Sequence, residues 1–112
     1  MKTEIADKWI AALLSGEYKQ TTGKLYDGKG YCCLGVLCKV LGKEFVDEGT
    51  LSWTIGSERL RSILPRDVVE DAGMYSSYGC YNSRNSSLTK DNDDGKTFEE
   101  IAGIIDEFRD EL

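Results

Sequence analysis

Four thiols, at Cys32, Cys33, Cys38 and Cys80, are the side chains in this chain best suited to ligate a soft metal or attack an electrophile. Their spacings of 1, 5 and 42 residues do not suit either task. Zinc knuckles need cysteine pairs separated by two or more residues, and a catalytic thiol needs a base beside it. The sequence contains no histidine, which removes Ser-His-Asp and Cys-His catalysis, imidazole metal sites and the usual proton carrier near neutral pH. No catalytic residue, metal ligand or cofactor is therefore assigned. The cysteines read as small buried hydrophobes. With no apolar signal segment after Met1-Lys2-Thr3-Glu4, they are expected to stay reduced in a cytosolic, soluble protein. The tail Arg109-Asp110-Glu111-Leu112 resembles an ER-retrieval signal only by coincidence on such a chain.

Phosphate and calcium chemistry fail on spacing. Gly16 and Gly23-Lys24 enclose six residues where a P-loop has four, and Leu25 replaces the metal-binding hydroxyl. Gly95-Lys96-Thr97 has the hydroxyl, but Lys90 stands at the first glycine position. Aligning Gly95 with the glycine of an EF-hand loop puts Lys90 and Ile101 where carboxylates are required. The run Asp91-Asn92-Asp93-Asp94-Gly95 is expected instead to form an Asx-rich turn.

Two stretches have binding composition. Residues 17–30 hold Tyr18, Gln20, Lys24 and Tyr26 and lead into Asp27-Gly28, a turn signal that predicts a short hairpin of 24–26 with 29–31. Residues 74–90 are rich in Ser, Asn and Tyr and nearly free of aliphatics. They read as a long loop, with tyrosine supplying contact area and Ser and Asn supplying hydrogen bonds.

The elements that must hold these stretches centre on residues 31–42. That segment has eight aliphatic or thiol side chains and one charge, Lys39. As a helix it carries Cys33, Val36, Leu37, Val40 and Leu41 on one face and the small residues Cys32, Gly35 and Cys38 on another, so neighbours can approach closely. A helix at 4–15, capped by Thr3, buries Ile5, Trp9, Ile10, Leu13 and Leu14. A strand is expected near Leu51–Thr54, and a single turn capped by Ser57 carries Leu60, Ile63 and Leu64. Pro65 opens a helix over 65–72 that Gly73 closes. Thr97 and Glu100 form a capping box for a helix over 98–109, with fraying after Phe108 because acids oppose the macrodipole there. The sum is one domain over 1–112, α+β and mainly helical, with one or two short hairpins or strands.

Charge is uneven. Residues 1–50 carry seven basic and seven acidic side chains, whereas residues 51–112 carry seven against thirteen. Such a surface repels nucleic-acid phosphate and attracts basic surfaces, and no apolar run approaches bilayer length. Neither nucleic acid nor membrane is an expected partner.

Three segments together resemble a widespread family of small bacteriophage and prophage accessory proteins. They are Trp9-Ile10-Ala11-Ala12-Leu13-Leu14-Ser15-Gly16-Glu17-Tyr18-Lys19-Gln20, then Tyr31-Cys32-Cys33-Leu34-Gly35-Val36-Leu37-Cys38, then Leu88-Thr89-Lys90-Asp91-Asn92-Asp93-Asp94-Gly95-Lys96-Thr97-Phe98-Glu99-Glu100-Ile101-Ala102. The resemblance implies a setting, the cytoplasm of an infected bacterium, and by analogy stoichiometric binding that blunts host defence. Two modes follow. In the first, Tyr18, Gln20, Lys24, Tyr26, Tyr81, Arg84 and Asn92 form one pocket that sequesters a small nucleotide-type immune signal. In the second, the acidic face beyond Asp91 occupies a basic groove on a host defence protein such as a nuclease. A phage structural or assembly role would call for a large apolar patch, and the sequence offers none outside the expected core.

Overall fold

Helical periodicity sets the two longest elements, which pack on each other, and the most lipophilic stretch of the chain packs against the first of them. The computed structural model describes residues 1–47, 53–55, 58–59 and 63–112. In chain order these hold α1 (Thr3–Leu14), α2 (Cys33–Val40), β1 (Phe45–Asp47), β2 (Trp53–Ile55), β3 (Glu58–Arg59), α3 (Arg66–Ala72), β4 (Cys80–Tyr81), β5 (Ser86–Ser87), α4 (Leu88–Asp93) and α5 (Phe98–Phe108). β1-β2-β3 form an antiparallel sheet and β4-β5 a separate antiparallel pair, so the fold is α+β and mainly helical. No helix among the described residues is long and apolar enough to cross a membrane.

Every residue of α2 from Cys33 to Cys38 is buried. Against it α1 turns Ala6, Trp9 and Leu13, and α5 adds Phe98, Ile101, Ala102 and Ile105 to the same core. The Trp9 indole N–H donates to the Cys33 carbonyl at 2.9 Å, which leaves no unmet polar group on a fully buried ring. The small face of α2 receives backbone: a Cβ placed on Gly35 would stand 2.0 Å from the Leu25 carbonyl oxygen. The crossing loop 17–31 therefore lies directly on the helix.

Element boundaries differ from expectation where long-range hydrogen bonds claim the chain. α1 has Lys2, not Thr3, at its N-cap, because the Lys2 N–H donates to the Ala72 carbonyl and draws the start of the chain onto the end of α3. α2 begins at Cys33, since the Tyr31 and Cys32 N–H groups are given to Lys19 and Leu25 carbonyls at 2.8 and 3.2 Å. The hairpin expected at 24–31 reduces to isolated bridges, Gln20 with Tyr31 and Tyr26 with Tyr31. Pro65 is the N-cap of α3 and not its first residue, and Gly73 closes that helix at φ 69°. Of the strand expected near Leu51–Thr54, Trp53 and Thr54 belong to β2, and the rest lies outside the described residues. Ser57 and Leu60 also lie outside them, and between those two positions Glu58–Arg59 is a strand, not part of a helical turn.

Residues 74–90 are not a structureless loop. They contain β4, β5 and the start of α4, whose N-cap Ser87 accepts from the Lys90 N–H, so the acidic run is helical as far as Asp93. The capping box of α5 forms as read, with Thr97 Oγ1 accepting from the Glu100 N–H at 3.1 Å and Glu100 Oε1 accepting from the Thr97 N–H at 3.1 Å. The helix ends at Phe108, but the tail does not fray. The Leu112 side chain is buried, and its carbonyl accepts from the Tyr75 N–H at 2.9 Å.

Loop 17–31 is closed at one end by Asp27, which accepts from the Lys29 and Gly30 N–H groups at 2.9 and 2.8 Å and from the Thr21 hydroxyl at 2.6 Å. The Thr21 hydrogen bond first, then the two amides, hold its carboxyl at about 2, below the ordinary 3.8. A carboxyl depressed by folding stabilises the protein above its unfolded-state pKa, and that stabilisation is lost as pH falls toward the folded value. Asp27→Asn should accordingly flatten the acid-unfolding curve between about pH 4 and pH 2, as followed by tryptophan emission. An unchanged curve would show that the turn does not couple to global stability.

Candidate ligand-binding site

The seven residues expected to share one pocket are distributed over four environments. Gln20 and Asn92 do meet, but inside the fold. Asn92 is fully buried; its Oδ1 accepts from the Cys33 N–H and from Gln20 Nε2, both at 3.0 Å, and its Nδ2 donates to the Thr21 carbonyl at 2.8 Å. Gln20 Nε2 also donates to the Lys96 carbonyl at 2.7 Å. Next to this junction Asp93 accepts from the Gly23 N–H at 2.9 Å. One buried amide thus joins the crossing loop, the start of α2, and α4 with the turn after it. Asn92 is thus fully engaged inside the fold, and half-buried Gln20 has its Nε2 committed to the same junction.

Tyr18 and Tyr26 belong to an aromatic cluster with Tyr31 and Phe45. Tyr26 stacks on Tyr31 with centroids 4.6 Å apart and lies 5.2 Å from Phe45, while Tyr18 meets Tyr31 edge-on at 5.4 Å. These rings are largely engaged by one another, which suits a structural wedge between the loop and β1. Lys24 is exposed and makes no ion pair among the described residues.

Tyr81 and Arg84 line a pocket of about 250 Å³ with Tyr75, Ser76, Cys80, Ser83 and Glu111. It is built on the β4–β5 turn, where Asn82, Ser83 and Arg84 take the left-handed conformation in succession, at φ 55°, 55° and 68°. Asn tolerates that region, but Ser and Arg there cost about 1–2 kcal/mol each. Backbone held in such a state clusters at ligand sites. The turn is anchored by the Ser83 N–H donating to Glu111 Oε1 at 3.2 Å and by the Asn85 N–H donating to the Asn82 carbonyl at 3.0 Å.

The lining groups have distinct roles. Tyr81 is nearly buried, packs on Phe108 at 4.9 Å and donates its hydroxyl to Asp91 Oδ2. Burial, then that carboxylate, push its phenol up to about 12, so it is a neutral wall of the pocket across the physiological range. Tyr75 is 69% exposed, a large ring left at the pocket mouth. Arg84 makes no ion pair among the described residues. A guanidinium beside two phenol rings recognises planar groups bearing phosphate or carboxylate, and the Glu111 carboxylate can accept from the N–H edge of a base.

Of the four thiols only Cys80 lines this pocket, half-buried; the other three lie in the core. Burial pushes the Cys32 thiol up to about 11 and raises Cys33 and Cys38 as well, so all three stay protonated. Among the described residues no group of three or more His, Cys, Asp or Glu side chains is placed to hold a metal ion.

Composition pointed to Tyr81 and Arg84 because they sit in the Ser/Asn/Tyr-rich stretch, and Tyr75 lies in that same stretch. Glu111 carried no signal, since only the packing of the chain end brings it to the turn.

The chain belongs to the family described as Domain of unknown function (DUF8296), which matches residues 1–109. No curated protein and no solved structure matches it.

Proposed function

We propose that this protein is a phage accessory protein that acts by stoichiometric, non-catalytic binding, and that its ligand is a small anionic, aromatic molecule of the nucleotide class. The observation that carries this reading is Arg84, an unpaired guanidinium among the described residues, presented by a left-handed turn to a pocket that Tyr75 and Tyr81 also line. The pocket volume of about 250 Å³ is just below the roughly 300–1,000 Å³ of sites that engulf drug-sized ligands. It accommodates a base or a phosphorylated sugar and leaves the remainder of a larger nucleotide outside. Sequestration of a nucleotide immune signal in an infected bacterium is the role this implies, supported by the phage-family resemblance of the three motifs. The absence of histidine and the burial of Cys32, Cys33 and Cys38 in the core support binding without turnover.

The site is smaller than the sequence suggested, comprising Tyr75, Tyr81, Arg84 and Glu111 without Tyr18, Gln20, Lys24, Tyr26 or Asn92. Because Tyr81 is also a packing residue, Tyr81→Ala would confuse binding with stability. Arg84→Ala and Tyr75→Ala touch only exposed side chains and should leave Tm unchanged. Protein purified from infected, defence-carrying cells should release a small molecule on denaturing mass spectrometry. Arg84→Ala should weaken its rebinding by roughly tenfold or more, the loss of one charge-assisted contact. Equal binding by Arg84→Ala and Tyr75→Ala would remove the pocket from consideration, and a co-purifying basic protein in place of a small molecule would favour the acidic-face reading.

A further inference from the structure

On the other side of the core, α1 and α5 leave an open groove of about 430 Å³ between two stripes of helical spacing. Ile10 and Leu14 of α1 and Ala102 and Gly103 of α5 make its floor, and Leu14 is 56% exposed although it is a large aliphatic side chain. Asp7, Glu99 and Asp106 stand along its rim. Arg109 fixes the spacing of the two helices by donating to Asp7 at 2.8 Å and Asp106 at 2.7 Å. Its own side chain is 20% exposed while the two carboxylates are 63% and 71% exposed, so the negative groups face outward.

Gly103 is the informative residue. A glycine inside a helix destabilises it relative to alanine, and a close neighbour usually accounts for its presence, as the Leu25 backbone does at Gly35. Around Gly103, apart from its own helix, no atom of the described residues lies within 4 Å of where a Cβ would be. The protein's own packing does not require this notch, and it lies where a partner would approach closest.

We infer that the α1–α5 groove is a docking surface for an amphipathic helix of a partner protein, with aliphatic side chains on one face flanked by lysine or arginine. The apolar floor takes the aliphatic face, the notch at Gly103 admits close approach of the helices, and the flanking cations meet Glu99 and the outward-facing sides of Asp7 and Asp106, which stay net negative around the Arg109 they share. At 1.5 Å per residue, the lining from Asp7 to Leu14 on α1 and from Glu99 to Asp106 on α5 makes a trough about 10 Å long, enough for roughly two turns of helix. A second copy of this chain fits poorly, because its own α5 would bring acids against acids. This surface shares no residue with the β4–β5 turn pocket, so the inference stands or falls independently of the ligand reading.

The probe is a fluorescein-labelled helical peptide of leucine and lysine in amphipathic order, with a scrambled peptide and a leucine–glutamate peptide as controls. The ordered basic peptide should bind the full chain and shift the amide resonances of Leu14 and Gly103, and the two controls should not. Gly103→Arg, which fills the notch and reverses the local field, and Leu14→Gln, which removes apolar floor, should each raise Kd roughly tenfold or more. Gly103→Ala serves as the folding control, with Tm expected to rise by about 4 °C or more. Glu17→Lys, a charge change outside the groove, and Arg84→Ala in the turn pocket should leave Kd within about twofold. No binding at about 100 μM peptide, equal binding of the scrambled peptide, or indifference to Gly103→Arg would each overturn the inference. So would a concentration-dependent dimer that Gly103→Arg dissolves, since the occupant would then be a second copy.

Discussion

Gly35→Ala is expected to destabilise this protein by at least about 3 kcal/mol, a large share of the 5–15 kcal/mol that a domain of this size holds. The added methyl would stand 2.0 Å from the Leu25 carbonyl oxygen and 2.9 Å from its carbon. Both atoms are backbone, so no rotamer change relieves the clash. That carbonyl also accepts from the Cys32 N–H at 3.2 Å, so displacing it breaks the bond that ends the crossing loop and starts α2. Tm should fall by more than ~10 °C, measured by circular dichroism or calorimetry. The same substitution at Gly103, where the space is open, should act in the opposite direction, and the pair separates contact from intrinsic helix propensity. A Gly35→Ala protein of unchanged Tm would mean that the loop does not rest on the helix.

Asn92→Leu is the second large effect, expected at about 3–5 kcal/mol because buried groups that lose their partner each carry a penalty of about 1–3 kcal/mol. Leucine is close to asparagine in shape, so packing is largely retained. The Cys33 N–H and the Thr21 carbonyl lose their partner, and Gln20 keeps only its bond to Lys96. Hydrogen exchange offers a local readout, since the Cys33 amide should lose more protection than the interior amides of α5. In a double-mutant cycle with Gln20→Leu the two losses should be non-additive by about 0.5–3 kcal/mol, as for residues sharing one network. Additive losses would show that the two amides act separately, and a wild-type Tm would remove Asn92 from its central place.

These two residues also explain what the family-like segments are for. Trp9, Gln20, Gly35 and Asn92 come from all three, and in the structure they meet one another or the loop that joins them. The three segments therefore hold residues that join the elements of the fold, and they carry little information about a ligand. The turn pocket draws on residues outside those segments, Tyr75, Arg84 and Glu111 among them, whereas the α1–α5 groove takes half its lining, Ile10, Leu14, Glu99 and Ala102, from within them.

By itself the sequence determined the helices over α1, α2, α3 and α5, the capping box, the small face of α2 and the burial of three of the four thiols; Cys80 is half-buried at the turn pocket instead. Each of these follows from residue types within one or two turns of one another, where spacing and side-chain volume act locally. Only the tertiary structure decided that Gln20 and Asn92 turn inward, that Tyr18 and Tyr26 stack with Tyr31 and Phe45, and that Arg84 is left unpaired beside Tyr75. The hydrogen bonds that fix Asn92 join positions 59 to 72 residues apart. A polar side chain in a Ser/Asn/Tyr-rich stretch has the same local signature whether it faces solvent or a distant backbone amide. The fold settles which, because an amide that finds three partners is stable buried and one that finds none is not.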